Sequence, residues 1–291
     1  MTTLTVEHRT VYRYARPVNF QEHRLMCRPR DSHDLRLLDT ALTITPAASV
    51  RWLHDVFGNS IAIASFSEPA AELSFVSSFR AEHYPAVPEY LQLEEYARHL
   101  PFNYAAEEVP DLGRTMERHH ADPEHRVDAW AKRCVARRRS HATLEVLVAM
   151  NAAIGKDLTY ARREEMGVQS PVETLASSSG SCRDFAVLLM EAARSLGLAA
   201  RFVSGYLYDE ALVGAGGGLV GGGATHAWAE IYLPGAGWVE FDPTNALVGS
   251  RNLIRVAAAR EASQAVPLSG SYVGRPEDYL GMEVEVKVTA S

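Results

Sequence analysis

The sequence predicts an α+β protein: an N-terminal β-sandwich-like domain, then a core in which one helix packs on an antiparallel sheet. Three observations predict it. Short strand-like runs with regular turn signals fill the first 85 residues, helical apolar periodicity begins only after Pro123, and strand-like segments return after residue 200. At 291 residues, 47% hydrophobic and 22% charged, the chain is long enough for about two domains. It can bury a sizeable core without disulfide staples or metals.

In the first domain, placed at residues 1–85, Leu4, Val6 and His8 alternate with polar neighbours, and Val11-Tyr-Arg-Tyr14 adds β-branched and aromatic residues. Further strand-like runs lie at Leu42–Thr45, Val50–His54, Ile61–Ser65 and Leu73–Ser77. Turn signals at Arg16-Pro17, Pro46, Gly58-Asn59 and Glu68-Pro69 separate them. Pro85, Pro88, Pro101 and Pro110 mark a boundary, and residues 86–122 read as a connecting segment. The core is placed at residues 123–291. Val127, Trp130, Ala131, Cys134 and Val135 recur at helical spacing, and a second helix covers Thr143 to about Ile154. The clearest helix starts near Cys182. Phe185, Leu188, Leu189, Ala192, Ala193 and Leu196 form one apolar stripe, Ser181 and Asp184 resemble a capping box, and Gly197 sits at the stop. Strands follow at Ala200–Tyr208, Thr225–Leu233 and Trp238–Asp242. Near the C-terminus Val284, Val286 and Val288 alternate with Glu283, Glu285 and Lys287, a strand with one buried face.

The net charge of −7 argues against a nucleic-acid partner, whose phosphates attract basic surfaces. Cys27, Cys134 and Cys182 are odd in number and have no metal-like spacing, so neither a disulfide framework nor a CxxC pair is expected. A reducing compartment fits. Met1–Thr10 has no apolar signal-peptide region, and no apolar run reaches the ~18 residues of a membrane helix. The expectation is a cytoplasmic protein with no membrane partner.

A thiol nucleophile needs a stabilised thiolate, a base and a group that orients the base. Cys182 follows Ser178-Ser-Gly-Ser181 at the start of the strong helix. There the helix dipole and open backbone N–H groups stabilise a thiolate, and the same N–H groups can hold an oxyanion. Cys27 and Cys134 read instead as buried small apolar residues. His226 opens the segment Thr225-His-Ala-Trp-Ala-Glu-Ile-Tyr-Leu233 and is the candidate base. Asp242, ending Trp238-Val-Glu-Phe-Asp242, is the candidate orienting acid. Taken singly, His226 reads as a hydrogen-bonded structural histidine and Asp242 as a turn residue before Pro243. Strand geometry links them. His226, Trp228, Glu230 and Tyr232 share one face, as do Trp238, Glu240 and Asp242. An odd loop or a bulge is needed to put both sets on the same side. A Pro234-Gly235-Ala236 loop pairs Leu233 with Gly237 and makes His226 the diagonal neighbour of Asp242, at roughly 7–8 Å between Cα atoms.

These residues resemble those of the bacterial transglutaminase-like proteins, which belong to the papain-like cysteine enzyme superfamily. The resemblance rests on Gly180-Ser-Cys-Arg-Asp-Phe185, Ser195-Leu-Gly-Leu-Ala-Ala-Arg201, Ser204-Gly-Tyr206, Thr225-His-Ala-Trp228 and Phe241-Asp-Pro-Thr-Asn245. Tyr12-Arg-Tyr14, Arg16-Pro-Val18, Arg28-Pro-Arg30 and Asp55-Val-Phe-Gly-Asn59 look like the family's β-rich N-terminal region, and Val266-Pro-Leu-Ser-Gly270 like its C-terminal segment. The chain departs from the family at Ala259-Arg-Glu-Ala262, where Gly-Arg-Asp-Tyr is common. The resemblance implies a papain-like core with Cys182, His226 and Asp242 as nucleophile, base and acid. It implies an acyl-enzyme mechanism on amide or peptide carbonyls, with a protein or peptide substrate. It leaves open whether water or an amine resolves the thioester.

No metal or organic cofactor is required by this chemistry. Gly216-Gly-Gly-Leu-Val-Gly221 fits a dinucleotide-binding string but lacks the strand–helix context, so it reads as a loop flanking the site. His119, His120 and His125 fit no standard ligand set, and Arg137-Arg-Arg139 reads as a solvated helix end. Trp228 and Trp238 read as core rather than groove. Tyr160 is a candidate second oxyanion donor, and Asp184 a helix cap. The rival reading is a non-catalytic binding module on the same fold, and the β-rich domain could supply a homodimer interface.

Overall fold

Strand-favouring residues form the first six strands: β1 (Thr2–Phe20), β2 (His23–Leu25), β3 (Leu35–Thr45), β4 (Ala48–His54), β5 (Ser60–Phe66) and β6 (Ala70–His83). The computed structural model describes residues 2–84, 91–136, 141–163, 167–208, 220, 223–249 and 252–290. Pro85, Pro88, Arg137-Arg-Arg139 and, apart from Val220, the Gly216–Gly221 string lie outside the described residues. Along β1, Leu4, Val6, His8 and Thr10 are buried while Thr5 and Glu7 are exposed, the alternation that turns one strand face inward. β1 pairs antiparallel with β6, and β6 with β3. β2, β5 and β4 form a second antiparallel sheet. Tyr14, Phe20 and Phe75 from the first sheet cluster with Leu25, Ala62 and Ala64 from the second. Arg16-Pro17, a turn signal in the sequence, lies inside β1. The β1–β6 register breaks between Arg13 and Val18, so the missing proline N–H interrupts no ladder bond.

The helices are α1 (Glu108–Leu112), α2 (Arg126–Ala136), α3 (Thr143–Asp157), α4 (Pro171–Ser177) and α5 (Cys182–Ser195), with two-residue strands β7 (Thr159–Tyr160) and β8 (Ser179–Gly180) between them. They are followed by β9 (Ala200–Leu207), β10 (His226–Leu233), β11 (Gly237–Asp242), β12 (Leu247–Val248) and β13 (Leu253–Ala259), which form one antiparallel sheet in the order β12-β11-β10-β9-β13. α5 lies against this sheet. Phe185, Leu188, Leu189 and Ala192 share a buried cluster with Ala227, Ala229, Ile231 and Leu233 of β10. Full burial of each large apolar side chain contributes about 1.5–3 kcal/mol. α2, α3 and α4 cover the rest of the helix. α5 ends in a Schellman motif. Leu198 N–H donates to Ala193 O (3.1 Å), Gly197 N–H donates to Arg194 O (3.0 Å), and Gly197 has φ +84°.

A helix buried on all sides must satisfy its polar side chains internally. Arg194 uses every guanidinium nitrogen. Nη1 donates to Glu191 (2.9 Å) and Glu261 (3.0 Å), Nη2 to Ala200 O (2.9 Å) and Arg260 O (2.8 Å), and Nε to Thr115 O (3.0 Å). Glu191 also accepts from Arg118 Nε at 2.9 Å. This cluster fastens the 115–118 and 260–261 segments to the far end of α5.

The remaining strands, β14 (Leu268–Ser269), β15 (Tyr272–Val273) and β16 (Tyr279–Ala290), leave the core. β14 pairs with β2, while β15 and β16 pair with β1. The alternating C-terminal valines therefore belong to the first sheet and not to a core spanning 123–291. A period of two identifies a strand but not its partner. The 86–122 stretch is likewise more than a connector. Leu100, Tyr104 and Leu112 lie in the core cluster. Ala199 N–H donates to Tyr104 OH, which donates to Tyr232 O, each at 2.9 Å.

The two parts share a packed interface. Tyr206, Ile254 and Val256 cluster with Leu4, Phe79 and Val286, and His8 Nδ1 lies 2.9 Å from Tyr206 OH. Asn59 adds a two-way bridge: its Nδ2 donates to Ala258 O (2.8 Å) and its Oδ1 accepts from Ala258 N–H (2.9 Å). Among the described residues no disulfide forms, and Cys27, Cys134 and Cys182 are all buried. No described helix is long and apolar enough to cross a membrane. Replacing Asn59 with Ala leaves the Ala258 N–H and C=O without partners inside this interface. Urea unfolding is expected to show a loss of roughly 1–3 kcal/mol; no loss would mean that the bridge adds nothing to the interface.

Candidate active site

Cys182 is the first residue of α5, behind the N-cap Ser181. Asp184 anchors this corner. Its Oδ2 accepts from Ser181 N–H (2.8 Å) and Ser181 OH (2.9 Å), and its Oδ1 accepts from Gln169 N–H (2.7 Å) and Arg163 Nη1 (3.0 Å). The capping role read from sequence is thus half of what Asp184 does; the other half fastens the segment around Arg163 and Gln169 to the helix start. The parallel pairing of β7 with β8, Tyr160 opposite Gly180, brings Tyr160 to the same corner. Burial raises the Tyr160 pKa and the neighbouring Cys182 raises it further, while Arg162 and Arg183 pull it down.

His226 begins β10 and Asp242 ends β11. The hairpin pairs Leu233 with Gly237, Tyr232 with Trp238, and so on to Ala229 with Phe241. This is the register of a three-residue loop, and it leaves His226 and Asp242 on one face. His226 Nε2 lies 2.9 Å from Asp242 Oδ2. Both side chains are buried. Because a carboxylate only accepts, Nε2 carries the hydrogen. Asp242 receives two more donors, Thr244 N–H on Oδ1 (2.9 Å) and Asn245 Nδ2 on Oδ2 (2.8 Å). Burial pushes the His226 pKa down, but the charge and hydrogen bond of Asp242 outweigh it. Cys182, beside the ring, acts in the same upward direction, and the pKa rises to about 10. The other ring nitrogen, Nδ1, is buried without a hydrogen-bond partner among the described residues.

Trp228 holds the ring from one side. The two rings stack at 6.1 Å and 29°, and Trp228 Nε1 donates to Glu240 Oε1 (3.3 Å). Gly205 makes room. It pairs with His226 across β9 and β10, and a Cβ there would meet Ile254 O at 2.1 Å and Trp228 Cη2 at 2.7 Å. Glu230 and Glu240 sit directly opposite each other on β10 and β11. Glu230 is held by Arg201 and by Arg255 Nη1 (2.8 Å). Glu240, desolvated and next to Glu230, has its pKa pushed up to about 8, because two adjacent carboxylates cannot both ionise cheaply. Trp228 is fully buried and Trp238 lies under the Arg201 guanidinium at 4.2 Å, so both are packing residues.

The histidines set aside earlier part company. His119 and His120 face Glu261 at 3.7 and 3.9 Å, whereas His125 pairs with Asp128 at 3.0 Å. Among the described residues no three His, Cys, Asp or Glu side chains are grouped to hold a metal. An open cleft of about 570 Å³ is lined by Arg163, Val168, Gln169, Glu173, Ala176 and Ser177, next to the Asp184 anchor. A smaller cavity of about 300 Å³ opens in the N-terminal sheets beside Cys27, Arg28 and Trp52, and none of the residues around Cys182 lines it. Sequence reasoning assigned no role to Asn245, Glu240, Gly205 or Arg163. Asn245 and Gly205 stand in quoted motifs, so the signal was present without a partner to interpret it.

Residues 4–82 match the bacterial transglutaminase-like N-terminal region and residues 128–243 match the transglutaminase-like superfamily. Cys182, His226 and Asp242 fall inside the second match. An uncharacterized protein of Mycobacterium tuberculosis is 31% identical over 296 residues, covering 97% of this chain and 91% of its own. An uncharacterized protein of Mycobacterium leprae is 28% identical over 293 residues, covering 98% and 99%. The fold is similar to that of a "putative cysteine protease" from Cytophaga hutchinsonii, with a TM-score of 0.74 at 18% identity over 99% of this chain and 90% of that one. The chain belongs to the transglutaminase-like superfamily, in the bacterial group that carries this N-terminal region.

Two outcomes follow from the geometry. Gly205→Ala is expected to destabilise the chain by about 1–3 kcal/mol through overpacking and to alter the near-ultraviolet circular dichroism of Trp228; an unchanged spectrum and stability would show that the strand yields freely. The His226 pKa is raised above its unfolded value of about 6.5. Its contribution to stability is therefore complete below that pH and is lost as pH rises through about 10. Unfolding measured across this range should show the decline in the wild type, and Asp242→Asn should remove that part of it.

Proposed function

We propose that the chain is a cysteine-dependent acyl-transfer enzyme acting on amide or peptide carbonyls, with Cys182 as nucleophile, His226 as base and acid, and Asp242 as the group that orients the imidazole. The observation that carries this reading is the buried 2.9 Å bond between His226 and Asp242 beside a cysteine at a helix start. Nε2 is committed to Asp242, so Nδ1 is the nitrogen left to exchange a proton with the thiol. A buried ion pair is weak evidence of stability for its own sake, which favours a chemical use over the binding-module reading.

In the proposed reaction, His226 Nδ1 takes the Cys182 proton and Sγ attacks the carbonyl carbon. The carbonyl electron pair moves to oxygen, where backbone N–H groups at the start of α5 receive it, with the Tyr160 hydroxyl as a second donor. The C–N bond then breaks as His226⁺ returns the proton to the leaving nitrogen, and a thioester remains. Water or an amine, deprotonated by His226, attacks the thioester and releases Cys182. The name of the Cytophaga protein favours water as acceptor, giving a peptidase or amidase; an amine acceptor would give a transamidase. The N-terminal sheets, as a sandwich-like domain, would frame the protein or peptide substrate.

The test is iodoacetamide alkylation across pH, with each modified cysteine identified by mass spectrometry. Cys182 should react in preference to Cys27 and Cys134. His226→Ala should abolish that preference. The His226-dependent part of the rate should persist through neutral pH and fade as pH rises through about 10. On any peptide or amide substrate found by screening, His226→Ala should cost about 10²–10⁴ in rate. Labelling of Cys182 no faster than of the other two, and unaffected by His226→Ala, would return the site to the binding-module reading. Incorporation of a fluorescent primary amine into a test protein, compared with simple hydrolysis, identifies the acceptor.

A further inference from the structure

Asp242 Oδ2 has two claimants, His226 Nε2 at 2.9 Å and Asn245 Nδ2 at 2.8 Å. Asn245 has a second set of bonds. Its Nδ2 also donates to Val220 O (3.1 Å), and its Oδ1 accepts from Val220 N–H (2.8 Å). The orientation of this amide is fixed by chemistry. Asp242 and the Val220 carbonyl only accept and the Val220 N–H only donates, so NH₂ must face the first two and oxygen the third. Asn245 thus reads the main chain at Val220 the way a neighbouring strand would. Val220 lies in the sequence just before β10, six residues ahead of His226. One amide therefore joins the acid of the candidate triad to the peptide that leads into its base.

We infer that Asn245 is a positioning residue for Asp242: by sharing Oδ2 with His226 it tempers the pull of the carboxylate on the imidazole, and it fixes that sharing to the main chain at Val220. This deepens the acyl-transfer reading and rests on it. The direction follows from competition for one oxygen. A hydrogen bond to a carboxylate spreads its charge and weakens it as an acceptor for anything else. Thr244 N–H still holds Oδ1 when Asn245 is removed, so Asp242 stays in place and its full charge falls on His226. Among the described residues, three other titratable contacts bear on this pair. Asp242 on β11 and Cys182 on α5 act on His226, and Tyr160 on β7 faces Cys182 and Asp242. All are left intact by substitutions at 245 and 220.

The test uses the full-length chain and reads the His226 ring by nitrogen-15 NMR as a function of pH, in the wild type, Asn245→Ala and Val220→Pro. Asn245→Ala should raise the His226 midpoint by roughly half a unit or more. The pH at which alkylation of Cys182 loses its dependence on His226 should rise with it. Val220→Pro removes the N–H that orients the amide and should shift the midpoint the same way by less; it carries the test alone if Asn245→Ala does not fold. An unchanged midpoint in a folded variant would make Asn245 a loop anchor only, and a lowered midpoint would mean that it holds Asp242 in place without tempering it; either overturns the inference. Absence of preferential Cys182 labelling in the wild type would sink the acyl-transfer reading, while the titration would still decide whether Asn245 and His226 are coupled through Asp242.

Discussion

The site depends on the register of one hairpin. Leu233 pairs with Gly237, and from that closure each later pair is fixed in steps of one residue. A slip of one position would turn every side chain of β11 to the other face. Asp242 would then point away from His226, and Phe241 would leave the core for the position of the carboxylate. The apolar face of β10, packed on α5, holds the register from beneath. Phe241 and Val239 occupy the same core cluster as Ala229 and Ile231, so the packing that stabilises the fold also fixes the meeting of His226 and Asp242.

Charge is the second constraint. The centre of the molecule buries Asp184, Glu191, Arg194, His226, Glu230 and Asp242, groups that are costly to desolvate unless paired. Each has a partner that also positions something. Asp184 sets the start of α5, the Arg194 and Glu191 cluster fixes its far end, and Arg255, bonded to Glu230, ties the core sheet to Asp34, the residue just before β3, through a 3.3 Å contact. Glu240 differs in lying opposite another carboxylate, and burial with the charge of Glu230 pushes its pKa up to about 8. Its bond from Trp228, which stacks on His226, makes this second carboxyl the outer edge of the same assembly.

Much of this was legible in the sequence, for identifiable reasons. α5 is long, has one apolar stripe and is bounded by Ser181 and Gly197, so both ends could be read. The hairpin could be derived because the loop parity is a geometric condition on two strands with clear faces. Other parts were hidden. β13 is rich in alanine, which has little strand preference, and α4 at seven residues is too short to show a period. The prolines between residues 86 and 122 hid a segment whose Tyr104 bridges β10 and the residue just before β9. The partner of β16 could not be read at all, since alternation marks a strand without naming its neighbour. Asn245 and Glu240 gain meaning only from what lies across space from them.

As the proposed nucleophile, Cys182 accepts an acyl group through a thioester. The direct measurement is stoichiometric acylation with an activated ester such as p-nitrophenyl acetate, read as the burst of nitrophenol per chain and the site of acetylation by mass spectrometry. An acyl-enzyme intermediate gives a burst of about one equivalent with the acetyl group on Cys182, and the burst is lost in Cys182→Ala and His226→Ala. No burst, or acetylation spread over surface lysines and unaffected by His226→Ala, would contradict it.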